Sequence, residues 1–94
     1  MNIEQIEHGS KGAFLIKENN QRLAEMTYSK AGENLIIIDH TEVSDALRGK
    51  GAGIQLVNAA VNYAREKNIK ILPLCPFAKA IFDKTPEFHE VLST

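Results

Sequence analysis

Three glycines fall within five residues in Arg48-Gly49-Lys50-Gly51-Ala52-Gly53, with cations on either side of the first. Glycine lets a backbone approach a ligand closely, and a helix that begins just after such a turn points free amide hydrogens outward. That combination suits a phosphate or pyrophosphate. The alternative is a glycine-rich surface turn with incidental cations. Two common phosphate-binding spacings do not fit. A nucleotide P-loop needs a glycine where Ser44 stands and a hydroxyl residue where Gly51 stands, and the dinucleotide fingerprint needs a glycine where Ile54 stands. A second candidate is Cys75, the single cysteine, directly before Pro76. If Pro76 opens a helix, Cys75 caps it, and the positive end of the helix dipole favours a nucleophilic thiolate. A buried structural cysteine is the alternative. An imidazole side chain ordinarily changes charge near neutrality, so His40 could serve as base or orienting group if its strand approaches Cys75. Glu42 shares a strand face with His40 and could polarise it or an incoming amine; mere solvation at a strand end is the alternative for both.

These residues need a scaffold, and the pattern around them supplies one. Gly12 to Glu18 reads as a strand, Asn19-Asn20 as a turn, and Leu23 to Ser29 alternates Ala24, Met26 and Tyr28 with Glu25 and Thr27 as a half-buried strand does. Ala31 to Asn34 is another turn. Leu35 to Val43 begins apolar and β-branched and then turns polar through Asp39, His40, Thr41 and Glu42, so its second half faces water or a ligand. Asn2 to Glu7 adds a further strand if it pairs. From Gly53 to Lys67, Ile54, Val57, Val61 and Ala64 recur at three- and four-residue intervals, which predicts an amphipathic helix ended by Asn68. Ile69 to Leu74 reads as a short buried strand. A helix between two apolar strands is a crossover that makes those strands parallel neighbours. Pro76 then opens a helix to about Lys84, in which Phe77, Ile81 and Phe82 are expected to pack on the sheet, and Thr85-Pro86 opens a last short helical piece. Lys79 and Lys84 could reach an outer phosphate, with a solvated helix face as the alternative, and His8 and His89 read as surface residues.

The whole chain excludes several other functions. With 94 residues the expectation is one compact domain, 1–94, because a second core of this size rarely supports itself. Eleven basic against twelve acidic residues give a net charge of −1, which removes the usual electrostatic case for nonspecific nucleic-acid binding. One cysteine forms no internal disulfide and excludes zinc sites built on cysteine pairs, as expected of a reducing compartment. The longest strongly apolar run, Leu35 to Ile38, falls far short of the roughly 20 residues that span a bilayer, so no membrane association is expected and a cytoplasmic location is the default.

Arg48-x-x-Gly51-x-Gly53, between a strand and a helix, resembles the Gln/Arg-x-x-Gly-x-Gly/Ala signature of the GNAT acetyltransferase superfamily. The likeness spans about Leu35 to Phe82. The chain is most similar to small single-domain members that carry His-Thr-x-Val on the fourth strand and a cysteine after the fifth, here His40-Thr41-Glu42-Val43 and Leu72-Pro73-Leu74-Cys75-Pro76-Phe77. The resemblance implies a minimal α/β GNAT-like fold: a mixed sheet, with an antiparallel meander followed by a β-α-β crossover and short carboxy-terminal helices. It implies an N-acetyltransferase with acetyl-coenzyme A as donor and no metal. The pyrophosphate of coenzyme A would sit on the backbone of Arg48, Gly49, Lys50, Gly51, Ala52 and Gly53. The pantetheine arm would pair around Glu42 and Val43, with the thioester near Cys75 and His40 in a catalytic role. Compared with larger members the chain is short, which leaves the amine acceptor unidentified; no heptad or repeated interface pattern predicts an oligomeric state. A noncatalytic module that binds or senses coenzyme A or acyl-coenzyme A is the competing reading, and a cysteine-histidine hydrolase has no supporting oxyanion loop.

Overall fold

A computed structural model describes residues 2–93. Five strands form one sheet in chain order: β1 (Ile3–His8), β2 (Lys11–Glu18), β3 (Gln21–Lys30), β4 (Leu35–Val43) and β5 (Lys70–Pro73). The first four run antiparallel, and β5 lies parallel to β4. Helix α1 (Ala52–Lys67) makes the crossover, and α2 (Pro76–Lys84) and a 3-10 turn at Pro86–Val91 follow β5. The fold is the mixed α/β architecture expected from the sequence. Among the described residues no helix is long and apolar enough to cross a membrane.

Local chemistry accounts for the hairpins and helix ends. Asn19 and Asn20 both adopt positive φ, as the two central residues of a type I′ hairpin turn must, and they join β2 to β3 with Glu18 paired to Gln21. Asn68 ends α1 in the left-handed conformation, and its amide donates to the carbonyls of Ala64 and Arg65. Pro76 takes the first position of α2, with Cys75 as the N-cap.

The core lies between one face of the sheet and the helices. Phe14 and Ile16 of β2, Ala24, Met26 and Tyr28 of β3, Ile36 and Ile38 of β4 and Ile71 of β5 pack with Leu56, Val57, Ala60, Val61 and Ala64 of α1 and Ala78 and Phe82 of α2. Ala13 and Leu15 are buried as well, so the middle of β2 is covered on both faces; Leu15 stands in register between Glu4 and Glu25. One expectation needs correction. Ile54 leaves the apolar seam of α1 and is 45% exposed, its place there taken by Gly53, Leu56 and Ala60.

Two bulges break the strand alternation. One falls in β3 at Leu23, where Ile16 pairs with Ala24 but Lys17 with Arg22. The other matters more for the site. Tyr28 pairs with Ile38 but Thr27 with His40, so Asp39 is an extra residue in β4. At the far end of the sheet, β1 is tied on by a polar cluster. Tyr28 Oη donates to Glu7 Oε2 at 2.7 Å, Tyr63 Oη donates to the same oxygen at 3.4 Å, and Lys30 Nζ lies 2.7 Å from Glu7 Oε1. The Lys30 ammonium first, and then the Tyr28 hydroxyl, hold the Glu7 carboxyl below its usual value.

Candidate functional site

Strands β4 and β5 part company halfway along β4. Pairing stops at Ile38 with Pro73, and the amides of Leu74 and Cys75 both donate to the Ile38 carbonyl, at 3.1 and 3.2 Å. Beyond that point β4 runs on to Val43 with no strand on this side among the described residues. The Ser44 amide donates to the Leu23 carbonyl at 2.7 Å, which sets the parity of the β3–β4 ladder. His40 and Glu42 therefore exchange their backbone hydrogen bonds with β3, and the amides and carbonyls of Thr41 and Val43 face the gap.

The bulge at Asp39 decides which side chains accompany them. Thr41 pairs with buried Met26 and Val43 with buried Ala24, so both stand on the helix-bearing face, and His40 and Glu42 stand on the other. Cys75, 5% exposed, donates from its thiol to Thr41 Oγ1 at 3.5 Å. Burial is the largest influence on this thiol and pushes its pKa up. The Thr41 hydroxyl and the backbone amides of Ala78, Phe77 and Thr41 together outweigh it, and hold the thiol below its usual value.

At the end of β4 the chain turns into the glycine segment. Ser44 Oγ accepts from the Ala46 amide at 3.2 Å and caps a 3-10 turn, Asp45–Leu47, and Gly49 and Gly51 follow at φ of 77° and 73°. Gly51 is the N-cap of α1. Its left-handed backbone is strained for a residue with a side chain, so this position can supply no side-chain oxygen to the helix amides. The first turn of α1 also holds no acidic residue. Its amide end thus stays positive and without a side-chain cap. It opens on a cleft of about 440 Å³ lined by Val43, Ser44, the 3-10 turn, the glycine turn and, from α2, Phe77 and Ile81.

The sequence-derived candidates distribute themselves unevenly around this cleft. Gly49, Gly51, Ala52, Gly53, Arg48 and Val43 line it. Lys50 is exposed beside it. The Arg48 guanidinium lies 2.7 Å from the Asp45 carboxylate, with both side chains largely exposed. Gly53 serves packing: a Cβ there would come within 2.4 Å of the Phe77 ring. His40 and Glu42 form an exposed pair on the far face of β4, Nε2 to Oε1 3.4 Å. The structure brings Thr41 rather than His40 to the sulfur. Lys79 pairs with Asp83 at 3.3 Å on the exposed side of α2.

Phe77 departs from expectation. The spacing of Phe77, Ile81 and Phe82 suggests three core residues, yet Phe82 and Ala78 take the core side of α2 while Phe77 is 45% exposed and forms a wall of the cleft. Sequence reasoning also missed Thr41 and Asp45. The signal for Asp45 was its three-residue spacing from Arg48, whereas nothing in the composition of β4 marks the extra residue that turns Thr41 inward.

The chain and its fold are similar to those of known proteins. A family model described as GCN5-related N-acetyl-transferase matches residues 13–91. Protein NATD1 of Gallus gallus is 30% identical over 84 residues, which cover 87% of this chain and 76% of that protein. Among solved structures, a GCN5-like protein from Staphylococcus aureus is 42% identical, covers 98% of this chain and 89% of its own, and superposes with a TM-score of 0.75. A GNAT family acetyltransferase from Elizabethkingia anophelis, solved with acetyl-CoA bound, shares the fold at 22% identity and a TM-score of 0.59, over 68% of this chain and 42% of that one.

Proposed function

The chain belongs to the GCN5-related N-acetyltransferase family, and from that membership we propose that residues 1–94 act as one domain that transfers an acetyl group from acetyl-coenzyme A to an amine acceptor. One observation carries the reading: the positive, uncapped end of α1, the glycine turn and the open edge of β4 meet in a single cleft. Together they suit successive parts of the donor. The amides of the glycine turn and of α1, with Arg48 and Lys50 adding positive charge, suit the pyrophosphate. Engagement of a phosphate competes with Asp45 for the Arg48 guanidinium. The half-exposed Phe77 and Ile54 suit the apolar stretches of the pantetheine arm. The free amides and carbonyls around Thr41 and Val43 suit its two amide groups, in the manner of an added strand.

This arrangement brings the thioester to the gap beside Cys75. In the covalent route the Cys75 sulfur bonds to the acetyl carbon, the bond from that carbon to the sulfur of coenzyme A breaks, and the departing sulfur takes up the proton that the thiol gave up. The acceptor amine then attacks acetyl-Cys75, a carbon–nitrogen bond forms, and the cysteine sulfur leaves with a proton from the amine. In the direct route the amine attacks the thioester without that intermediate. In both, a backbone amide near Val43 is the candidate donor to the developing oxyanion. His40, partnered by Glu42 on the outer face, is the candidate base for an amine arriving from that side.

The first test is thermal stability with coenzyme A and acetyl-coenzyme A, wild type beside Arg48→Ala. Ligand at about a hundred times its dissociation constant should stabilise the fold by roughly 2.7 kcal/mol, with a weaker response in the variant. No rise in the wild type counts against donor binding. Intact mass then separates the routes: an acetyl adduct absent from Cys75→Ala supports the covalent one, and full turnover by Cys75→Ala removes it. A stable donor complex with no turnover in a broad amine screen leaves the noncatalytic binding module.

A further inference from the structure

We propose that Thr41 is a positioning residue for Cys75: the bulge at Asp39 delivers its hydroxyl to the sulfur, so that a neutral donor holds the nucleophile and no histidine is needed. The inference rests on the reading of Cys75 as the acyl-accepting group. Its basis is parity. Without the extra residue, the alternation that buries Ile36 and Ile38 would bring His40 inward and turn Thr41 out. With it, Thr41 stands opposite Met26 on the inner face, and its Oγ1 lies 3.5 Å from the sulfur. The same residue is one whose backbone faces the gap, and its amide joins those of Phe77 and Ala78 in favouring the anion.

Several charged groups on the neighbouring elements are engaged elsewhere. On β4, His40 and Glu42 pair with each other on the far face. On α2, Lys79 is bound to Asp83, and in the turn after β4, Asp45 is bound to Arg48. On β5, Lys70 donates to the Glu90 carbonyl, and Arg65 of α1 binds Glu90. The groups that favour ionisation of Cys75 are hydroxyl and amide donors. In the neutral thiol the S–H donates to Thr41 Oγ1. When the proton departs, to solvent or during transfer to the sulfur of coenzyme A, the hydroxyl turns and donates to the thiolate, so one contact serves both states. Threonine suits the task because its β-branch restricts the rotamers of the hydroxyl.

The experiment is the pH dependence of iodoacetamide alkylation, read by intact mass, for wild type, Thr41→Val, Thr41→Ala, Thr41→Ser and His40→Gln. Loss of a hydrogen bond to a charged group should raise the alkylation midpoint by roughly one unit in Thr41→Val, a roughly tenfold slower reaction at pH values below both midpoints. Thr41→Ala, which places less demand on packing, should move the same way. Thr41→Ser should stay near the wild type, and His40→Gln should keep the wild-type midpoint. Wild-type midpoints in both Thr41→Val and Thr41→Ala overturn the proposal, as does a shift in His40→Gln as large as that in Thr41→Val. Alkylation needs no acetyl donor, so it judges Thr41 whether or not coenzyme A stabilises the protein. If coenzyme A stabilises none of the proteins, the donor reading fails while the thiol titration still decides the role of Thr41.

Discussion

Gly53 illustrates how a residue of a glycine motif can serve the site without touching a ligand. It is buried in the first turn of α1, and the ring of Phe77 occupies the space where its Cβ would be, 2.4 Å from the ring carbons. Because that ring is 45% exposed, it can swing outward, and the cleft wall would move with it. Two opposite effects then act on Gly53→Ala. Relief of crowding costs about 1–3 kcal/mol, while alanine in place of glycine inside a helix returns about 0.8–1.0 kcal/mol. The sign should depend on Phe77. In the wild type the substitution should be neutral to destabilising and should weaken coenzyme A binding. In a Phe77→Ala background, where only helix propensity is left, it should stabilise. Denaturant melts of the four proteins measure this, and an equal effect of Gly53→Ala in both backgrounds would mean that the ring and the glycine are uncoupled.

Elements set the polarity of the cleft, and helix α1 does so by what its first turn lacks. An acidic residue near a helix amino terminus ordinarily stabilises the helix by about 0.3–1 kcal/mol, yet none is present here. Gln55→Glu, nearly isosteric in the first turn, should therefore raise the melting temperature of the free protein while reducing the rise caused by coenzyme A. Stability and affinity moving in the same direction would argue that no anion binds at this helix end. The elements themselves were largely legible in the sequence, because each is written in a local signal: alternation in β3, two asparagines at a hairpin, a three- and four-residue period closed by Asn68, a proline after Cys75. The glycine turn and the N-cap position of Cys75 follow from the same signals. The facing of β4 was not legible. Ile36, Ile38, His40 and Glu42 share one parity, and only pairing with β3 reveals that Asp39 is an extra residue that sends the last two to the opposite face. Phe77 was misread for a related reason, since helical spacing specifies an apolar stripe but not whether its edge meets a neighbouring element or a cleft.

At the scale of the molecule, burial is shared by every strand and helix except one. Strands β2 to β5 and both helices contribute fully buried side chains, whereas β1 contributes none and is held by its ladder to β2 and the Glu7 cluster. Stability should accordingly be tiered. Amides of β1 should exchange with solvent through local opening, at a free energy below that of global unfolding, while the core amides of β3 and β4 exchange only when the whole fold opens. The proposed cleft lies where β4, α1 and α2 meet, away from the ties that hold β1. Coenzyme A at about a hundred times its dissociation constant should slow the globally exchanging amides by roughly a hundredfold and leave those of β1 unchanged. The amides of Thr41 and Val43, which face the gap and have no β5 partner, should gain protection beyond this if the pantetheine arm lies along the strand. Hydrogen exchange resolved by residue distinguishes the possibilities. Equal protection of β1 and the core would mean that β1 opens only with the rest of the fold, and protection of the core without added protection at Thr41 and Val43 would move the pantetheine arm off the edge of β4.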